Sequence, residues 1–124
     1  MAIESFFERA GESGYGVLPP ADWTRGVRVG SQDEKVWFEI IVYRAELSVE
    51  LIHAGGSGWT ELLALLVEFA DEHDLRIEVR DWRKRDDLPV CFPGAQFSRV
   101  LKRHGFKSHL WEPKWIREPF DGGR

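Results

Sequence analysis

A single segment near the middle of the chain constrains the fold more than any other. Residues 46–54 (ELSVELIHA) have the branched and aliphatic side chains typical of a strand, and residues 55–58 (GGSG) follow at once. Residues 59–73 then place leucines and a phenylalanine on one helical face, and residues 75–80 (LRIEVR) predict another strand. A strand, a helix and a strand in this order predict two parallel, adjacent strands joined by a crossover helix.

The rest of the chain predicts a sheet around this unit. Glycines and the Pro19-Pro20 pair indicate a loop after the first helix, and Gly105 suits the end of the last one. The fold class predicted is α+β: one domain over 1–124, with a mixed sheet flanked by helices around a β–Gly loop–α–β core. The further predicted elements are a helix at 3–10, strands at 26–30 and 35–44, a helix at 95–104, and strands at 106–110 and 114–117.

Length and composition exclude several classes of protein. The 124 residues fit one domain, and no apolar run approaches the length of a membrane span. Cys91 is the single cysteine, so an internal disulfide and a multi-cysteine zinc site are excluded, and His104 and His109 lack matched ligands for a metal. The N-terminus has no signal-like apolar stretch, so we expect a cytoplasmic protein, of a size that would suit a bacterial or phage source.

Charge is distributed unevenly along the chain. Residues 1–74 hold five Lys and Arg against fourteen Asp and Glu, whereas residues 75–117 hold eleven against five. The basic region indicates either a local site for phosphate groups or an unevenly solvated surface. A nucleic acid is an unlikely partner, because the acidic remainder would repel it.

The glycine-rich segment predicts an anion site. Gly55, Gly56 and Gly58 would let a phosphate approach the backbone closely, and Ser57 suits the N-cap of the helix. The first turn of a helix presents unpaired amides and a partial positive charge. Without a following Gly-Lys-Ser/Thr the segment is not a Walker loop, and it is also compatible with a plain turn.

In combination, these motifs resemble the GNAT acyltransferase family. That family has Arg/Gln-x-x-Gly-x-Gly/Ala at the end of its fourth strand, and this chain has HAGGSG at 53–58. The family's last helix ends in Gly-Phe, as FSRVLKRHGF does at 97–106. The resemblance implies acetyl-CoA as cofactor, with its pyrophosphate on the glycine loop and its pantetheine arm between strands 46–53 and 75–80. The residues it implies for cofactor binding are Leu51, Ile52, His53, Gly55, Gly56, Ser57, Gly58, Trp59 and Thr60.

The chain departs from the family pattern at two positions. His53 stands where the family has Arg or Gln, and Leu101 stands where it often has the tyrosine that protonates the leaving thiolate. The family base is often a glutamate on the fourth strand, which makes Glu50 the candidate base and His53 the next candidate. Glu46 lies on the same strand and is interpreted as an exposed strand residue.

The sequence thus predicts transfer of an acetyl group to an amine on a small molecule or protein, through a ternary complex. One alternative is a catalytically inactive GNAT-like protein that binds a protein partner, which the position of Leu101 favours. Another is a nucleic-acid-associated protein that uses the basic region 76–107. Final strands of this sort often pair between subunits in the family, so a homodimer is also compatible with the sequence.

Overall fold

Seven strands and three helices make up the described part of the chain. The computed structural model describes residues 3–20, 26–43, 46–54, 58–80, 96–108 and 114–119. The helices are α1 (Ile3–Glu12), α2 (Gly58–Glu72) and α3 (Gln96–Arg103). The strands are β1 (Tyr15–Leu18), β2 (Val27–Ser31), β3 (Val36–Tyr43), β4 (Glu46–Ala54), β5 (Arg76–Arg80), β6 (Lys107–Ser108) and β7 (Lys114–Arg117).

All seven strands belong to one mixed sheet, in the order β1-β2-β3-β4-β5-β7-β6. Strands β4 and β5 are parallel, with Glu46 beside Arg76 and Val49 beside Val79, and the other described pairs are antiparallel. The predicted parallel neighbours, joined through the helix that begins at Gly58, are therefore confirmed. The α+β class with a mixed sheet is confirmed with them.

The three helices contribute to one apolar core on one face of the sheet. Alternate residues of the central strands point into this core because side chains alternate across a strand. The three helices and the strands of the sheet all contribute to this buried cluster, which includes Phe6, Ala10, Val29, Phe38, Ile40, Leu47, Val49, Leu62, Leu66, Phe69, Ile77, Val79, Val100, Leu101 and Trp115.

Helices α1 and α2 pack against each other through aromatic and ionic contacts. The rings of Phe6 and Phe69 are 5.7 Å apart between centroids and tilted by 48°. At the rim of this contact, the guanidinium of Arg9 donates a hydrogen bond to the carboxylate of Glu72. Burial of the two phenylalanines dominates the contact, since a partly exposed ion pair contributes little to stability.

Helix α3 ends at Arg103, and Gly105 follows as the stop residue that the sequence predicts. Gly105 has a φ of +90°, and its amide donates to the carbonyl of Lys102 at 3.0 Å. The Phe106 amide donates to the carbonyl of Leu101 at 3.0 Å, and together the two bonds satisfy the last carbonyls of the helix. A residue with a Cβ at Gly105 would be strained in this conformation.

Strand β1 is absent from the sequence prediction, which assigns its residues to a loop. The loop was inferred from Gly14, Gly16 and the proline pair, but Gly16 lies inside the strand, opposite Gly30 of β2. An edge strand has only one neighbour and tolerates glycine and flanking proline, so the turn signals were misleading here. Within the described residues, no helix is long and apolar enough to cross a membrane.

Candidate functional site

The junction of β4 and α2 is where the sequence places the cofactor. Strand β4 ends at Ala54 and α2 begins at Gly58, so Gly55, Gly56 and Ser57 lie outside the described residues. Trp59 is 2% exposed and packed in the core. The Trp59 side chain is thus part of the core, while Thr60 is half-buried in the same first turn.

A β-bulge interrupts the pairing of β3 and β4 at Glu50. Glu39 is opposite Leu51 and Ile40 is opposite Val49, which leaves Glu50 without a partner on β3. A bulge bends its strand, strengthens the local twist and re-aims a side chain, and bulges are enriched beside active sites. The candidate base therefore lies at the irregular position of the central strand.

Strands β4 and β5 pair in parallel over four described register pairs, from Glu46 with Arg76 to Val49 with Val79. Strand β4 continues to Ala54 and remains paired to β3 over that length, and β5 is described as far as Arg80. The four pairs lie between the start of β4 and the bulge at Glu50.

The face of the sheet opposite the described helices is polar at its centre. We call this side the polar face. Because Phe38, Leu47 and Ile77 point into the core, their neighbours on β3, β4 and β5 point the other way. Buried residues on this face are Arg28, Trp37, Glu39, Ser48 and Glu78. Buried charge is costly unless it is paired, so such a row on a sheet face is a candidate functional surface.

Arg28 organises one end of the polar face. Its guanidinium lies 4.6 Å from the ring centroid of Trp37 and donates to the carbonyl of Pro19 at 2.7 Å. It also donates to the carboxylate of Glu34 at 2.6 Å, and Arg28 is the register partner of Glu39. The positive charge of Arg28 is thus on the same face of the sheet as the buried Glu39, its register partner.

The other end of the polar face carries Glu78 between two cations. Its Oε1 lies 3.7 Å from the guanidinium of Arg80 and 3.6 Å from Nζ of Lys114, and this oxygen accepts no hydrogen bond. Burial raises the pKa of the nearby Glu46 carboxyl above its usual range, and the Glu78 carboxyl raises it further. Arg76 and Lys114 act in the opposite direction on that pKa.

Glu46 and Leu101 are both withdrawn from solvent, to different degrees. Glu46 is half-buried rather than exposed, since its carboxylate lies beside Glu78 and 3.8 Å from Nε of Arg76. Leu101, the residue at which the chain departs from the GNAT pattern, is fully buried in the core.

The structure brings the other predicted site residues together only along β4. Glu50, Leu51, Ile52 and His53 are consecutive residues of this strand, and His53 is opposite Trp37 of β3. Cys91 and His109 lie outside the described residues. Across the ranges that the structure describes, no group of three His, Cys, Asp or Glu side chains could hold a metal ion.

Three buried polar residues of this surface are absent from the sequence-based site. Glu39, Ser48 and Glu78 each interrupt an apolar strand: WFEII in β3, ELSVE in β4 and RIEVR in β5. A lone carboxylate within a run of large apolar residues is the signal that could have found two of them. The sequence alone did not indicate which face of each strand the core would use.

Comparisons of the chain with protein-family models, with curated proteins and with solved structures find no match. The functional interpretation therefore rests on the geometry of β4, its neighbours and the polar face.

Proposed function

We propose that this protein is an acyl-CoA-dependent N-acyltransferase that transfers an acetyl group to an amine. The observation that supports the proposal is the bulge at Glu50 on β4, the strand that pairs in parallel with β5 and leads into α2. The candidate base is thus on the strand of the β–α–β unit to which the resemblance assigns the cofactor. The proposal includes the cytoplasmic setting expected from the sequence.

The strand order supports the resemblance to the GNAT family. Because β1 precedes the three predicted strands, residues 46–54 form the fourth strand of the chain, where the family has its signature. The strand that follows α2 pairs in parallel with this fourth strand, as the family's pantetheine-binding gap requires.

The residues present fit acetyl-CoA in two respects. Strand β4 runs parallel to β5 and extends beyond Val49 to Ala54, and in this proposal the amides of a pantetheine arm pair with its main chain as an added strand would. Helix α2 then begins at Gly58, and the amides of its first turn are suited to a pyrophosphate. When bound, the cofactor supplies an acyl group activated as a thioester.

The residues of the protein deprotonate the acceptor amine and stabilise the thioester carbonyl in this proposal. An ammonium cannot attack a carbonyl, so a base must first take one of its protons. Glu50 is assigned this role, and His53 is the second candidate on the same strand. Backbone amides of β4 would hold the thioester carbonyl oxygen, where negative charge develops.

A second function is favoured by the burial of Leu101. Since the core occupies the position of the thiolate acid, a GNAT-shaped protein that binds a protein partner without catalysis is the alternative. A CoA thiolate has a pKa only somewhat above neutral, near the ~8.5 of a free cysteine, so its departure does not require an acid. The missing tyrosine therefore slows the enzyme and does not abolish its activity.

Calorimetric titration with acetyl-CoA, followed by acetyl transfer to a panel of amines, tests both functions. The acyltransferase requires binding and transfer, whereas binding of a protein partner with no transfer to any amine would favour the alternative. A protein that binds neither CoA nor acetyl-CoA would contradict the proposal.

A further inference from the structure

Strand β1 lies at one edge of the described sheet. It pairs with β2 from Tyr15 with Ser31 to Leu18 with Arg28, and no described strand pairs with its other side. Alternate N–H and C=O groups of an edge strand point away from its one neighbour. The outer side of β1 therefore presents main-chain groups with which a further strand can pair.

The same edge also exposes apolar side chains. Val17 of β1 is 56% exposed and Val27 of β2 is 36% exposed, and they are two of the three exposed large apolar residues in the described ranges. Val17 is the register partner of Val29, and Val27 lies two residues before Val29, so all three point to the same side of the sheet. Val29 is buried in the core, whereas Val17 and Val27 form an apolar strip at the edge.

The two edges of the described sheet differ in charge. Strand β1 (YGVL) has no charged side chain, whereas β6, at the other edge, begins with the exposed Lys107. A lysine on an edge strand hinders the addition of another strand, because its charge would have to be withdrawn from water. Strand β1 lacks this protection, and its four-residue length and the proline pair that follows it restrict an added strand to a short one.

We propose that β1 pairs antiparallel with β1 of a second copy of this chain, which gives a two-fold dimer with one continuous sheet. Identical strands in antiparallel pairing are related by a two-fold axis. A register centred on Val17 places the two Val17 side chains opposite each other, as a cross-strand apolar pair. The chain has a net charge of −4, and at this edge two copies meet with no like charges opposed on the paired strands.

This dimer does not depend on the proposed acyltransferase function. It also uses the edge opposite to the final strands, through which the resemblance to the GNAT family implies pairing between subunits. The proposed interface is short, so we expect weak and reversible association. Sedimentation equilibrium from about 1 μM to about 1 mM measures it, and we expect the average mass to rise from one chain to two within this range. A protein that stays monomeric throughout overturns the proposal.

The variant that tests the interface is Val17→Lys. Its side chain is exposed, so the variant should fold like the wild type, which circular dichroism and thermal unfolding verify. Two lysines opposed across the axis and the loss of the apolar pair should weaken dimerisation at least about tenfold. The matched controls add the same charge elsewhere: Tyr43→Lys at a 52% exposed position of β3, and Ser108→Lys on β6. We expect both controls to dimerise like the wild type.

The other outcomes locate the interface elsewhere. Dissociation by Ser108→Lys and not by Val17→Lys would place it at the final strands, and dissociation by Tyr43→Lys alone would place it on the polar face. Equal weakening in all three variants would show a general effect of charge. Each of these results overturns the proposal.

A second measurement uses the wild type alone and so does not depend on how any variant folds. Amide hydrogen exchange is followed in residues 15–18 at protein concentrations below and above the dimerisation midpoint. We expect slower exchange in this segment at the higher concentration, because the outer amides of β1 are then hydrogen-bonded to the second copy. Exchange that is independent of concentration in residues 15–18 overturns the proposal.

Discussion

Arg117 of β7 donates two parallel hydrogen bonds to the carboxylate of Asp71 on α2, at 2.7 and 2.8 Å. The same guanidinium donates through Nε to the carbonyl of His104 at 2.6 Å, just beyond α3. One side chain thus connects a strand to the ends of two helices. Because only 9% of the Arg117 side chain is exposed, the pair is better protected from solvent than an ordinary surface ion pair.

Replacing Asp71 by Asn should therefore destabilise the fold measurably. The variant leaves the buried Arg117 charge without its carboxylate, which costs about 2–3 kcal/mol in the free energy of unfolding. Urea denaturation followed by circular dichroism measures the change. The control is Arg9→Gln, which removes a more exposed pair and should cost less than about 1 kcal/mol. Equal effects in the two variants would contradict this reading.

Gly58→Val should weaken CoA binding more than it weakens folding. Gly58 begins α2, and a branched side chain there would crowd the approach of a pyrophosphate to the first amides of the helix. Calorimetric titration with CoA measures the effect. The control is Gly11→Val in α1, where an added Cβ meets no atom within 4 Å. Unchanged CoA affinity in a folded Gly58→Val protein would exclude the proposed cofactor site.

Glu50→Gln should lower the rate of acetyl transfer about a hundredfold or more, the usual contribution of a general base. Its affinity for CoA should stay close to that of the wild type, because the amide removes the base and keeps the shape. Steady-state kinetics and calorimetry separate the two quantities, and Glu12→Gln on the exposed end of α1 is the control. An active Glu50→Gln protein would move the assignment to His53.

We expect the free energy of unfolding to depend on pH through Glu46, in a direction that the raised pKa of its carboxyl determines. Its folded-state pKa is raised, first by burial and then by Glu78, so the protonated form is favoured by folding. The stability associated with that proton is complete below the unfolded pKa and is lost as pH rises through the folded pKa. Glu46→Gln should therefore gain stability relative to the wild type as pH rises above the ordinary glutamate range.

Thermal unfolding of the wild type and of Glu46→Gln, in buffers of matched ionic strength, tests this pH dependence. The range from about pH 4 to about pH 8 extends from the ordinary pKa of carboxyl groups to just above neutrality. A difference in melting temperature that stays constant across this range would show that Glu46 is not perturbed in the folded state.

The central β–α–β unit was predictable because its signals are local. Helix α2 repeats its leucines at helical spacing, and β4 and β5 are short apolar runs separated by glycine and by the turn at Asp74. The edge strand β1 was not predictable in this way. Its pairing with β2 is decided by the sheet, which overrides the turn preference of Gly16.

The sequence predicted candidate site residues on one strand, but not which residues of the neighbouring strands lie beside them. Glu50 was implied by the resemblance to the GNAT family, in which the base is often a glutamate on the fourth strand. The sequence could not indicate that Glu39 and Glu78 lie on the same face, because that depends on strand register and on which face the helices cover. The bulge at Glu50 likewise depends on how two strands pair, so the sequence of either strand alone does not predict it.

The parallel pairing of β4 and β5, unique among the described strand pairs, affects the order in which the protein folds and opens. Strands β1 to β4 pair with their sequence neighbours, so this section closes only short stretches of chain and can form early. The β4–β5 contact must wait for α2 and consists of four register pairs. We expect it to form late and to be the region of the sheet where amide hydrogens exchange most readily through local opening. Local opening at this contact would leave the pairing of β1 to β4 intact.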